Sequence, residues 1–342
     1  MSLAAVGAQL ADRLPLSDSI VRAGMRHIIG ASARRYGAFT PAQERSFVGT
    51  MAGRPIAEFT QAANDQHYEL PPEFFALCLG PRRKYSSCFY PTGRERLAQA
   101  EVCALEETAR HAALADGQDI LELGCGWGSL SLFMAERFPN ARITAVSNSA
   151  PQRLYIESEA MARGLNNLRV LTADMNDFSV DARHDRIVSV EMFEHMANWP
   201  ALFRRSHGWL KPEGRMFLHV FAHDHASYRY DTSDKSDWIA QHFFTGGLMP
   251  SRNLARECAA DFGVEDEWRW SGLEYKRTAL QWLENFDANR AQIDAVLAQV
   301  YGEGNLALWR RRWRMFFLAT AEMFGYANGS IWGVSHYRLK PL

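Results

Sequence analysis

The sequence predicts an α/β protein built on a doubly wound, mostly parallel, seven-stranded sheet. Two observations carry that reading. Between about residues 95 and 220, short apolar runs alternate with helical segments, as in a parallel sheet covered on both faces. At the first strand-to-helix junction stands the glycine-rich turn "ILELGCGWGSL", placed where such sheets bind ligands, beyond the carboxyl ends of the strands.

Residues 1–90 read as an N-terminal helical segment. In "LSDSIVRAGMRHIIGASARRYG", Ser17 or Asp18 serves as N-cap. Ile20, Val21, Met25, Ile28 and Ile29 follow on one face, with Arg22, Arg26, His27, Arg34 and Arg35 opposite. A basic amphipathic helix can lie on a membrane surface. The net charge of −1 favours a docked helix with a solvated basic face.

Residues 91–221 carry the alternation. "DILELG" is a strand and "SLSLFMAERF" a helix; "ARITAVS" is a strand and "APQRLYIESEAMARG" a helix. "LRVLTAD" and "DRIVSVEMF" are strands, "PALFRRSHGWL" a helix and "GRMFLHVF" a strand. In residues 222–342 the pattern stops. A polar, aromatic, turn-rich stretch reads as a lid. Two helices follow, and "SIWGVSHYRL" reads as a last edge strand.

Composition excludes several classes. The near-zero net charge argues against nucleic acid as the main partner. Five cysteines without a CxxC pair fit reduced thiols and a cytoplasmic protein better than disulfides or zinc. No apolar run approaches the ~20 residues of a membrane span. His223-Asp224-His225 has no further ligand at diagnostic spacing, so no metal is expected.

Two places carry chemistry. In the turn, Gly124, Gly126 and Gly128 allow a sharp bend and close approach of backbone to a ligand. The G-x-G-x-G spacing, and a second strand ending "AVSNSAPQ" without an acid, depart from the dinucleotide pattern. In "VSVEMFEHMANW" an apolar strand ends in Glu191, Glu194 and His195. One Glu suits a helix N-terminus. Two with a histidine, at the ligand end of the sheet, suit acid–base work.

These segments resemble the class I S-adenosylmethionine-dependent methyltransferases with their Rossmann-like fold. More narrowly, they resemble the cyclopropane fatty acid synthase superfamily, and within it the coclaurine N-methyltransferase-like group. The likeness rests on "LGCGWGSLSLF", "AVSNSAPQ", "MFEHMANW", "NFDANR" and "EMFGYANG", and runs from about "KYSSCFYP" to the C-terminus.

The resemblance implies S-adenosylmethionine as methyl donor and S-adenosylhomocysteine as product. It assigns Gly124, Cys125 and Gly126 to the methionine end of the donor. Ser147, Asn148 and Gln152 go to the ribose and adenine, Asp174 and Met175 flank the adenine, and Tyr85 and Ser86 close over the sulfonium. Glu191, Glu194 and His195 are the expected catalytic groups, with His219 and Trp313 lining a substrate pocket. His219 reads equally as a core histidine.

The acceptor is then a small amine or an unsaturated acyl chain, the latter with peripheral membrane contact. A homodimer is compatible with either. In the lipid branch a bicarbonate held by Cys, Glu, His and Tyr takes the last proton. Glu194 and His219 match two of those ligands. The Cys falls on Ser87, the Tyr near Trp313, and Glu191 stands where the lipid branch has Gly. These departures favour the amine and put the bicarbonate in doubt.

Overall fold

The computed structural model describes residues 14–58, 70–234 and 237–342. Helices α1 (Asp18–Tyr36), α2 (Pro41–Gly49), α3 (Pro72–Cys78) and α4 (Leu97–His111) precede the sheet. Strands β1 (Asp119–Leu123), β2 (Arg142–Ser147) and β3 (Leu168–Thr172) alternate with α5 (Ser129–Arg137) and α6 (Ala150–Ala162). β4 (His184–Val190), α7 (Trp199–Gly208) and β5 (Leu210–His223) complete the parallel part.

The strand order is β3-β2-β1-β4-β5-β9-β8, with β8 at Phe262–Ser271 and β9 at Trp332–Pro341. β1 lies between β2 and β4, so the order reverses there and leaves a crevice at the strand ends. Successive side chains feed opposite faces. Ile120, Val188 and Phe217 pack with Leu105 of α4 and Phe133 of α5. Leu121, Ile187, Met216 and Leu218 pack with Trp199 and Phe203 of α7. Each such side chain, fully buried, stabilises the fold by roughly 1.5–3 kcal/mol.

Two expectations change. The strand in "SIWGVSHYRL" is not an edge. β9 runs antiparallel between β5 and β8, pairing His219 with His336 and Trp268 with His336. The edge on this side is β8, whose acidic "VEDEW" is partly exposed throughout, as suits an edge strand. The buried stripe of α1 also differs. Val21, Met25, Ile29 and Ala33 face the core, whereas Ile20 and Ile28 are exposed. The basic face is partly ion-paired rather than solvated: Arg22 and Arg26 both reach Glu322.

The rest of the chain covers the ligand end of the sheet. It comprises the ribbon β6 (Tyr228–Arg229) and β7 (Leu248–Met249), with α8 (Trp238–His242) and α9 (Leu254–Cys258). Helices α10 (Gly272–Ala288), α11 (Arg290–Tyr301) and α12 (Leu306–Gly325) complete it. Their core is aromatic: Trp282, Phe286, Trp313 and Phe317 pack with Phe74 and Phe75 of α3. Among the described residues, no helix is long and apolar enough to cross a membrane.

Candidate active site

The glycine turn is built as the sequence suggests, for two different reasons. Gly124, at φ +81°, has no room: a Cβ would lie 2.4 Å from Met192 Cγ. Gly126, at φ +51°, has open space where its Cβ would point. The first glycine closes the turn and the second leaves an approach open. Both Gly124 and Cys125 donate backbone N–H to the Val146 carbonyl, which ties β1 to β2.

A cavity opens at this point. Tyr85, Ser86, Gly124, Cys125, Gly126, Ser147, Asn148, Gln152, Asp174 and Met175 all line it, with Glu191 and His195. These residues come from five separate segments, and the sheet brings them together. Several lining residues carry a buried polar atom without a partner among the described residues: Gln152 Nε2, Thr108 Oγ1, Ser129 Oγ and Trp127 Nε1. Burying such groups unpaired costs free energy that a polar ligand would recover. Gln152 is oriented from behind, its Oε1 accepting the Ser147 hydroxyl at 2.7 Å. The donor set fits S-adenosylmethionine.

The acidic cluster is divided by the fold. Glu191 sits at φ +47°, a strained position for a residue with a side chain, just past β4. Its carboxylate accepts three hydrogen bonds: Ser87 N–H at 2.9 Å, His219 Nε2 at 3.1 Å and the Tyr275 hydroxyl at 2.7 Å. Burial pushes its carboxyl up, while the Lys84 ammonium and the Ser87 and Tyr275 donors pull it back. His195 reaches the cavity with its ring 4.5 Å from Phe244.

Glu194 does not line the cavity. It is fully buried, with Oε1 accepting the Phe221 N–H at 2.7 Å and Oε2 unpartnered. Burial, then the neighbouring Glu191 charge, hold its carboxyl well above the ordinary range. Two carboxyls thus sit in environments that separate their proton affinities.

His219 and Trp313 do not line the cavity either. His219 lies behind Glu191, bonded to it. Trp313 is enclosed by Phe74, Phe243 and Phe317, a core residue in the aromatic layer. The hydroxyl that reaches Glu191 belongs instead to Tyr275 of α10.

Tyr275 escaped sequence reasoning because its partner is 84 positions away. Glu122 was legible, as the one acid in the apolar strand "ILEL", two residues before Gly124. It lines the cavity, fully buried and pushed up to about 7 by burial against a single Ser131 hydroxyl. Lys84 is a buried ammonium bonded to Ser86 Oγ and the Ser87 carbonyl, its affinity for a proton lowered by burial.

A bicarbonate does not fit. The donors that would hold it, His219 and the Ser87 segment, are taken by the Glu191 carboxylate. Cys88 is a buried thiol pushed up to about 12 by burial.

The sheet order, glycine turn and cavity define an S-adenosylmethionine-dependent methyltransferase. The model of the mycolic acid cyclopropane synthetase family matches residues 57–332, and the chain belongs to that family. (S)-coclaurine N-methyltransferase of Thalictrum flavum subsp. glaucum is 35% identical over 289 residues, covering 83% of this chain and 80% of that protein. The cyclopropane-fatty-acyl-phospholipid synthase of Escherichia coli K12 is 30% identical over 272 residues, covering 79% of this chain and 66% of the enzyme. A coclaurine N-methyltransferase crystal structure, bound to N-methylheliamine and S-adenosylhomocysteine, superposes with a TM-score of 0.93 at 30% identity, covering 97% of this chain and 98% of that one.

Proposed function

We propose that the methyl acceptor is the nitrogen of a small cyclic amine, and that Glu191 with His195 prepares it. The observation that carries this reading is Glu191 itself: a carboxylate fixed by three donors at the wall of the cavity that holds the glycine turn. The similarity to N-methyltransferases over most of the chain supports it.

An alkyl amine, with a pKa near that of Lys at ~10.4, arrives as an ammonium without a lone pair. A buried carboxylate attracts the ammonium and takes one proton, which leaves a neutral amine and a carboxylic acid. A base lifted above its usual range by burial suits that task near neutral pH. Glu194, its carboxyl pushed well up by burial and by the Glu191 charge, is biased toward its neutral form. S-adenosylmethionine supplies an electrophilic methyl, whose S–C bond breaks as the N–C bond forms. The chain positions the two reactants and excludes water.

The cofactor contacts are part of the same proposal. Gly124, Cys125 and Gly126 approach the methionine end. Glu122, with the Ser131 hydroxyl and no cation as partner among the described residues, suits an amino group. Ser147, Asn148, Gln152, Asp174 and Met175 line the side that suits ribose and adenine. Tyr85 and Ser86 line the same cavity.

The test is a panel of 1,2,3,4-tetrahydroisoquinoline and related secondary amines beside unsaturated phospholipid vesicles, each with labelled donor. Label in amine and none in lipid supports the reading. Label in acyl chains alone defeats it.

A further inference from the structure

Behind Glu191 runs an unbroken file of imidazoles that ends at the protein surface. His219 Nε2 lies 3.1 Å from Glu191 Oε1. His219 Nδ1 lies 2.9 Å from His336 Nε2, and His336 Nδ1 lies 2.8 Å from His111 Nδ1. His111 Nε2 lies 2.7 Å from Arg110 Nη2. Three elements supply the rings. His219 and His336 face each other across the β5–β9 ladder, and His111 closes α4.

Proton positions in such a file are set from one end. A guanidinium only donates and cannot accept. Glu107 Oε2 also lies 3.3 Å from His111 Nε2, but the Arg110 guanidinium is nearer, at 2.7 Å, so Nε2 accepts and the His111 proton sits on Nδ1. That proton is given to His336 Nδ1, which places the His336 proton on Nε2. That one in turn is given to His219 Nδ1, so the His219 proton sits on Nε2 and points at Glu191. One surface cation dictates three tautomers, and the last aims a donor at the carboxylate.

We propose that Arg110, His111 and His336 are positioning residues for the methyl transfer, which fix the tautomer of His219 and so stabilise Glu191 as a carboxylate. The inference rests on the role given above to Glu191. None of the three lines the cavity.

The surroundings suit rings that stay neutral and still. His111 stacks on Trp268 at 3.9 Å and 10°. Trp270 stands edge-on to His219 and His336, and Phe217 to His336. The charged groups facing the file are of both signs. Arg110, Arg338, Glu107 and Asp266 surround His111. Lys84 faces His219 and His336. Lys84, Tyr275 and Glu194 face Glu191. Burial, then Arg110, lowers His111 to about 4, and burial first of all holds His219 and His336 well below their ordinary range. Each ring therefore carries one proton at neutral pH and has one nitrogen left to accept.

Arg110 is largely exposed, so its replacement tests the idea without disturbing the core. The readout is two-bond nitrogen–proton correlation in protein labelled at histidine nitrogen, which identifies the tautomer of each ring without turnover. His111 is expected as Nδ1–H, and His219 and His336 as Nε2–H. Arg110→Lys keeps a donor and should keep all three. Arg110→Glu places an acceptor at the outer end and should invert all three. The acid limb of the pH–rate profile for 1,2,3,4-tetrahydroisoquinoline should then move up by about one unit, with KM for the methyl donor unchanged.

Opposite tautomers in the wild-type protein, or Arg110→Glu spectra identical to wild type, overturn the proposal. Inverted tautomers with an unmoved acid limb would keep the file and remove Glu191 from its role, so the two readings fail separately.

Discussion

Replacing Tyr275 by Phe removes one donor from Glu191 and little else. The hydroxyl lies 2.7 Å from Glu191 Oε2, deep in the site where water cannot substitute. The ring, stacked on Phe324 at 4.3 Å, should stay in place. A hydrogen bond to a charged group contributes about 1.5–3 kcal/mol. The bond is made to the ionised carboxylate, so its loss raises the Glu191 pKa. At 1.36 kcal/mol per unit, the rise is about 1–2 units. The variant should lose activity first at the acidic end, with its low-pH limb displaced upward by that amount and a plateau recovered at higher pH. The assay is kcat and kcat/KM for 1,2,3,4-tetrahydroisoquinoline across pH in both proteins. The ionisation of the amine is common to both profiles, so any displacement belongs to the enzyme. Coincident limbs, or a uniform loss at every pH, would refute the assignment of Glu191 as the group that must be ionised.

Other outcomes follow from the same geometry. Glu191→Gln and His195→Ala should lower turnover while S-adenosylhomocysteine affinity, read by calorimetry, changes little. Gly126→Val should do the reverse, because its Cβ would occupy open space at the cavity and meets no protein atom within 4 Å. Trp313→Ala should destabilise by about 3–5 kcal/mol in urea unfolding as a core truncation; a selective rise in amine KM at full stability would return it to the pocket. His111, His219 and His336 bind fewer protons folded than unfolded below their ordinary value of 6.5. Stability should therefore fall as pH drops from 6.5, for His111 down to about 4, by up to about 1.4 kcal/mol per unit for each ring. A urea midpoint unchanged between pH 6.5 and 5 would contradict their neutrality.

Local signals made the fold and the cofactor side readable. Strand and helix periods, and the glycine turn, are written in neighbouring residues, and the positions proposed for the cofactor, Tyr85 and Ser86 excepted, lie close to the end of a strand or the start of a helix. Ser147 and Gln152, for instance, meet across a five-residue turn. The catalytic surroundings are non-local. Tyr275, His336 and His111 reach the Glu191 region only through packing of α10, β9 and α4, and no spacing announces those meetings. Trp313 misled because an aromatic residue in an amphipathic helix reads alike whether it lines a cavity or fills a core. The β9 position misled for a similar reason, since a strand's pairing on both sides depends on β8, whose charges masked it.

The placement of β9 also bears on synthesis. β8, made some sixty residues earlier by sequence number, cannot join the sheet until residues 332–341 slide in beside β5. A nascent chain therefore holds two unpaired strand borders while α10 to α12 emerge, a window in which aggregation competes with folding. A nonsense codon shortly before Trp332 would leave the glycine turn intact and yet give a product that chaperones hold and proteases clear.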